Sequence, residues 1–410
     1  MLTRAVHILL IAVAVIGFSC TRKQDLKKIV IWHQMRVDER LVLEGQMKRY
    51  MDAHPGITVE AIYKETEELR SGYIVAAIAG QGPDLVYGPS DQVGPFHVMS
   101  IIRPLEGILD SAYLSKFNPK ALTHFKGHLY QIADKLGNHL TLVYNKKLVS
   151  HPPDTDTELI DMCQKIMAEK NGDGPRNVYG IVWNYTEPFF YIPWMSGFGG
   201  WVMDADNRPT LDTQSNIDGL QFIKDLRDKY KIVPKDADYN VADALFKDGK
   251  AAFIVNGDWS WSSYVKAGMD IGITPMPVIA KTGLRCSPMV SPKGYSVNNN
   301  VTDEKLPLVI DFLKFMMEPA NQLETAKIIN TMPTRVELYA DPFITSNEIL
   351  KNSQRQIDFG RAMPVVPEIR AIWDAMRPNY QAVLGGVKSA KDAAHDMQAL
   401  ALKKIAEMNE

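Results

Sequence analysis

The sequence predicts an α/β protein built on a parallel sheet with helices on both faces, and three observations carry that prediction. Strand-like and helix-like segments alternate from the start of the mature chain. The alternation resumes after Leu142-Val143-Tyr144 and runs to the end. No Pro- or Ser-rich linker, internal repeat or low-complexity tract separates the two stretches. A chain of 410 residues is long enough for about two or three domains. Such domains must then be joined by short strand crossings, which implies a hinged molecule.

Lys28 to Trp32 is a short strand around Ile29, Val30 and Ile31. A helix follows with Leu43, Met47, Tyr50 and Met51 on one face, and it stops at His54-Pro55-Gly56. Ile57 to Tyr63 alternates as a second strand, another helical pattern leads to Gly80–Pro83, and Asp84 to Tyr87 is a third strand. This is the βαβ rhythm of a covered parallel sheet. Ligands of such sheets sit beyond the carboxyl ends of the strands, which points to Gln34–Asp38 and Gly88–Gln92. Downstream, helical faces appear at Ile217, Leu220, Ile223, Leu226 and Tyr230, and from Leu306 to Met317. A last one starts near Ser389 and carries Ala394, Met397, Ala401, Ile405 and Met408. Ala251 to Val255 is an apolar strand that turns at Asn256-Gly257-Asp258 and presents Trp259 and Trp261. Rings at the mouth of a strand suit stacking on sugar faces, although packing into the core is the commoner fate of a tryptophan.

Composition narrows the function classes. At 46% apolar and 23% charged residues the chain is an ordinary globular protein rather than a disordered one. The N-terminus combines Arg4, the apolar stretch Val6–Phe18 and Ser19-Cys20, a pattern of signal peptide (1–19) with lipidation expected at Cys20 and a tether over 20–26. The apolar stretch is too short for a comfortable membrane span. Removing 1–19 takes away one base and no acid, so 46 − 1 = 45 basic side chains face 48 acidic ones, and no basic patch of the kind nucleic acid requires is present. Cys163 and Cys286 remain as thiols. Spacing alone cannot show whether they pair, and two unpaired buried thiols is the favoured reading.

Metal, cofactor and nucleophile motifs are not found. His124 and His128 lack an acidic partner for zinc. Asp236-x-Asp238-x-Asn240 opens like a calcium loop but carries Val241 and Lys247 where Gly and Glu are needed. Gly197–Gly200 lacks the ending of a phosphate loop.

An ordered set of segments resembles the extracellular solute-binding proteins of sugar ABC transporters, the maltose-binding type in particular. The segments are Gly82–Tyr87, Leu142–Lys146, Glu187–Phe190, Phe246–Phe253 with Asn256–Trp259, and Met332–Arg335. The resemblance implies two α/β lobes joined by hinge strands, with a ligand cleft between them. By analogy, 27–136 and 276–338 form one lobe, and 137–275 and 339–410 the other. It also implies a substrate-binding lipoprotein that captures a di- or oligosaccharide and delivers it to membrane permease subunits. Such a protein is expected to be a monomer on the periplasmic or extracellular face of a bacterial envelope, with no cofactor. Carried across residue by residue, Asp91, Glu187, Phe189, Tyr239, Trp259, Trp373 and Arg377 fall on family binding positions. Asn138 stands where the family has a hinge glutamate, Gly88 and Gln92 where it has Trp and Arg, and Arg36-Val37 where it has Asp-Lys. Aromatic platforms therefore survive mainly in the second lobe.

The residue chemistry agrees with that set. Asp91, Glu187, Asn138 and Arg377 suit hydroxyl groups, while Trp259, Trp373, Tyr239 and Phe189 suit the C–H faces of a sugar. Gln34 and Gln92 are further candidates by position. Asp238 has an alternative role as a helix cap. Two other functions stay open: a glycosidase using Asp91 and Glu187 as an acid/base pair, and a receptor for an anionic ligand such as a polyol phosphate, held by Arg36 and Arg377.

Overall fold

The computed structural model describes residues 25–174 and 177–408. The expected signal peptide, Cys20 and most of the tether lie outside the described residues. Two sheets organise the fold. The first runs in the order Met332–Pro333, His128–Leu136, Lys293–Val297, Leu85–Pro89, Lys28–His33, Thr58–Tyr63, with Leu122–Phe125 added on His128–Leu136. Its first three strands in sequence are parallel, as their βαβ spacing demands, with Lys28 opposite Thr58 and Ile31 opposite Leu85. The later arrivals are antiparallel: Lys293–Val297 inserts between Leu85–Pro89 and His128–Leu136. The sheet is thus mixed rather than purely parallel: chain returning from the second lobe enters it in the opposite direction, and Leu122–Phe125 pairs antiparallel with His128–Leu136 before the first crossing.

The second sheet has the order Tyr179–Val182, Ala251–Gly257, Leu140–Asn145, Ile271–Thr274. Every residue of Ala251–Gly257 is buried, which explains why that strand reads as a continuous apolar run rather than an alternation. Each sheet carries its own core. Ile29, Ile31, Tyr87, Tyr295 and Phe312 belong to the first, and Leu142, Trp183, Trp194, Phe253 and Tyr380 to the second. Two separate cores make two lobes.

The lobes are joined where His128–Leu136 passes into Leu140–Asn145. Gly137 (φ 133°) and Asn138 (φ 46°) take left-handed backbone there. A Cβ at position 137 would lie 2.4 Å from Asp258 Oδ2, so only glycine fits. That same carboxylate oxygen accepts the Asn138 backbone N–H at 3.2 Å, tying the crossing to the second lobe. The return crossing falls later than the expected position 276. Met276, Ile279, Cys286 and Met289 are all buried in the second core, and Val278 N–H donates to Asp154 O at 2.8 Å. The chain enters the first sheet only at Lys293. Beyond 338, Ile344, Leu350 and Ile357 pack with Ala133 and Leu136 at the edge of the first sheet. Ser353 and Gln356 of the same region reach His139 and Met276, at 3.2 and 2.6 Å. The helix Glu348–Phe359 therefore straddles the junction instead of lying wholly in the second lobe.

Helix readings hold in position and differ at their ends. Gln214–Asp228 buries Leu220, Ile223 and Leu226 on one stripe. The last helix, Ala390–Met408, buries Ala394, Met397 and Ala401 but leaves Met408 half exposed, so its apolar stripe stops short of the terminus. Asp238 caps Tyr239–Lys247 by accepting Val241 N–H at 2.8 Å, which settles its role as structural. Both remaining cysteines are free and buried in the second core.

Candidate functional site

A cavity of about 370 Å³ opens between the lobes, within the range of small-molecule sites. The first lobe supplies chain that follows its strands. Gln34 and Arg36 come after Lys28–His33, Glu65 and Glu67 after Thr58–Tyr63, and Asp91 after Leu85–Pro89. Arg70 reaches in from the helix Thr66–Ile78, Lys293 from the start of its strand, and Asn138 from the crossing. The second lobe answers with rings. Phe189 and Phe190 follow Tyr179–Val182, Tyr239 opens its helix, Trp259 follows Ala251–Gly257, and Trp373 projects from Glu368–Leu384 with Arg377 one turn on. Open strand ends facing each other across a crevice are where an α/β sheet pair places a ligand.

Nine of the ten sequence candidates line this cavity: Gln34, Asp91, Asn138, Glu187, Phe189, Tyr239, Trp259, Trp373 and Arg377. Gln92 does not. Its amide is buried against Gly88, whose lack of a side chain makes the room, since a Cβ there would meet Gln92 Oε1 at 2.5 Å. The two tryptophans at the end of Ala251–Gly257 part company. Trp259 faces the cavity, whereas Trp261 is fully buried and packs edge-on to His139 at 5.8 Å between ring centres.

The charged groups form a ladder across the cleft. Arg70 Nη2 donates to Asp91 Oδ2 at 3.0 Å, and Arg70 Nη1 to Glu67 Oε1 at 3.1 Å. Arg377 Nη2 also donates to Glu67 Oε1, at 3.4 Å, and Arg377 Nε to Glu187 Oε1 at 3.1 Å. Arg370 donates a further short bond to Glu67. Glu67 thus belongs to the first lobe while two of its three arginines belong to the second. Burial pushes the Glu67 carboxyl up, but Arg70, Arg370 and Arg377 outweigh it and hold its pKa below the ordinary value. Asp91 differs: complete burial raises its pKa despite Arg70, which it shares with Glu67. A second inter-lobe contact lies outside the cavity, where Asp38 accepts from Ser262 Oγ at 2.9 Å and Lys266 Nζ at 2.7 Å. The Arg36 guanidinium sits 4.7 Å above the Tyr239 ring centre, again lobe to lobe. The lobes thus meet at all three places.

Polar capacity remains unused inside. Gln34 Oε1, Asp91 Oδ1 and Arg70 Nε are buried without a hydrogen-bond partner, and burying them unpaired is costly, about 1–3 kcal/mol each. Sequence reasoning missed Glu67 and Arg70. They sit in Lys64-Glu65-Thr66-Glu67-Glu68-Leu69-Arg70, which reads as a solvated helix start, and only their place after the second strand marked them. Lys293 was invisible because its strand enters the sheet out of sequence order.

Residues 45–352 match the model of a family described as bacterial extracellular solute-binding protein. The chain belongs to this family. Among solved structures, this solute-binding protein is similar to the maltose/maltodextrin-binding domain MalE of Bdellovibrio bacteriovorus bound to maltotriose. The TM-score is 0.89 and the identity 44%, over 92% of this chain and 100% of that one. It is 30% identical to the maltotriose-binding protein of Pyrococcus abyssi over 385 residues, 93% of this chain and 81% of that relative. It is also 22% identical to a maltooligosaccharide ABC transporter solute-binding lipoprotein of Streptococcus pneumoniae, over 80% and 77% of the two chains. Family membership places this solute-binding protein in an extracellular or periplasmic setting, and no helix among the described residues is long and apolar enough to cross a membrane.

Proposed function

We propose that this chain captures a maltooligosaccharide, with maltotriose as the leading ligand, and delivers it to the membrane subunits of an ABC importer. The observation that carries this reading is the composition of the cleft: Phe189, Phe190, Tyr239, Trp259 and Trp373 on one side, hydrogen-bonding side chains on the other. The maltotriose-bound relative supports the choice of sugar. Rings of the second lobe stack on the apolar faces of successive pyranoses. Gln34, Asp91 and Asn138 take hydroxyls from the opposite side. A sugar held by both walls favours the closed form through its differential affinity, and closure presents the transporter with one defined surface.

Asp91 and Glu187 serve as sugar acceptors rather than as a hydrolytic pair, since arginines bond to both. The protein acts as a monomer anchored through acylated Cys20, and the lipoprotein relative supports the anchor. The test is isothermal titration of residues 21–410 with maltotriose, maltose, trehalose, cellobiose and glycerol phosphate. Each mixture is then assayed for hydrolysis. Tight maltotriose binding without cleavage is expected. Cleavage, or binding of the anionic ligand alone, overturns the assignment.

A further inference from the structure

The carboxylates lining the cleft are all engaged. Glu65 lies 3.7 Å from Arg36, Asp91 and Glu67 share Arg70, and Glu67 and Glu187 share Arg377. One lining cation stands outside these pairs. Lys293 is only 8% exposed, and among the described residues no hydrogen bond or ion pair of its ammonium is seen. Its ammonium lies 4.9 Å from the Trp259 ring centre, with the buried carboxylates of Glu39 and Asp258 acting on it from beyond ion-pair distance.

The backbone accounts for this placement. Lys293 pairs with Pro89 on one side and Lys135 on the other, and the register shifts between Lys293 and Gly294. A Cβ at position 294 would fall 2.3 Å from Ile132 O, so glycine permits the close approach of the strands. An irregularity of this kind re-aims the flanking side chain, here toward the cavity.

A buried ammonium has three donors to satisfy, and leaving them unfilled is expensive. We propose that Lys293 is a specificity-determining residue that donates charge-assisted hydrogen bonds to the oxygens of the sugar ring seated beside Trp259. The inference rests on the saccharide reading above. Ammonium and indole then recognise one pyranose together, the ring by its C–H face and the lysine by its hydroxyl edge.

The experiment compares wild type with Lys293→Met, which keeps the length and the apolar stem. Both are titrated with maltotriose and with a set of singly deoxygenated maltotrioses, and thermal unfolding serves as the control on folding. Lys293→Met is expected to weaken maltotriose binding by about tenfold to a hundredfold. One deoxy sugar should lose a similar factor on wild type and no further factor on the variant. Equal maltotriose affinity of the two proteins overturns the assignment, and so does an equal loss by the variant on every deoxy sugar. Wild type that binds no sugar removes the saccharide reading itself, an outcome distinct from either.

Discussion

The two walls of the cleft are built from different chemistry. The first-lobe wall is ionic and amide: Gln34, Arg36, Glu65, Glu67, Arg70, Asp91 and Lys293. The second-lobe wall holds five aromatic rings, and its charged contribution is Glu187 and Arg377. Each wall suits the sheet behind it. Trp259 and Phe189 pack on the large second core, which holds their rings in place before any ligand arrives. The first-lobe groups hang on one another through ion pairs within the lobe, Arg70 with Asp91 and Glu67, and Glu67 also reaches across to Arg370 and Arg377. On the saccharide reading proposed above, this contrast predicts that affinity resides mostly in one lobe and discrimination mostly in the other. Rings accept any sugar with an apolar face, whereas a misplaced hydroxyl opposite a buried carboxylate costs about 1–3 kcal/mol.

The largest effect expected is on the aromatic side. Trp259→Ala and Trp373→Ala should each cost about 2 kcal/mol or more, as buried aromatic anchors do, which is roughly thirtyfold in Kd. The double variant should lose about a thousandfold in a calorimetric titration with maltotriose. Gln34→Ala on the opposite wall should lose less than about tenfold, the size of a single neutral hydrogen bond. Comparable losses for Gln34→Ala and Trp259→Ala would break the division of labour.

Acid acts on the first lobe and the crossing through stability. His33 lies in the first lobe, where its Nδ1 accepts Met35 N–H at 3.2 Å, and burial lowers its pKa to about 4. His139, at the crossing, is lowered by burial to about 3. Both are neutral in the folded protein, while the unfolded chain takes up a proton near pH 6.5. Stability is therefore complete above about pH 6.5 and is lost as pH falls toward those folded values. The loss is about 2 kcal/mol per histidine at pH 5. Glu39 contributes in the same direction at lower pH. Burial alone would raise its pKa, but Lys135 and Lys293 bring it down to about 2, so its share is lost only between about pH 4.5 and 2. Thermal melts from pH 7 to 5 should show the histidine effect, and His33→Gln should flatten it in any transition that belongs to the first lobe alone. A His33→Gln profile as steep as wild type would remove that residue from the account.

How much of this was legible in the sequence follows the same division. The parallel strands, the stop of the first helix at His54-Pro55-Gly56 and the buried strand Ala251–Gly257 are local patterns, and periodicity reports them. The aromatic wall was also legible, because Trp259, Phe189 and Trp373 are rare residues beside recognisable turns. The ionic wall was not. Glu67 and Arg70 look like any charged helix start; what distinguishes Glu67 is its partners Arg370 and Arg377, more than 300 residues away, and what distinguishes Arg70 is Asp91 beyond the next strand. Lys293 and the late return crossing depend on a strand inserted out of order, which no local pattern encodes. Trp261 shows the reverse error: a ring of the right type, two residues from the cavity-lining Trp259, that tertiary packing buries beside His139.

The smallest effects should come from the inter-lobe ion pairs, and they test whether the ionic wall acts through closure. Glu67, with 40% of its side chain exposed, joins Arg70 at 7% to Arg370 and Arg377 at 33% and 23%. Partly exposed pairs are worth about 0.2–1 kcal/mol each, and a network somewhat more. The Arg370 and Arg377 contacts exist only when the lobes meet, so their energy adds to the closed state and appears in the affinity of a ligand they do not need to touch. Glu67→Gln should weaken maltotriose about threefold to tenfold, and Asp38→Asn, which frees Lys266 and Ser262 outside the cavity, about twofold. Raising salt from 0.05 to 1 M should weaken wild-type binding by a similar few-fold factor although the sugar is neutral, because screening acts on the latch. Glu67→Gln should respond less to salt than wild type. Equal salt sensitivity in the two proteins would show that the Glu67 pairs do not set closure and that the ionic wall acts on the ligand alone.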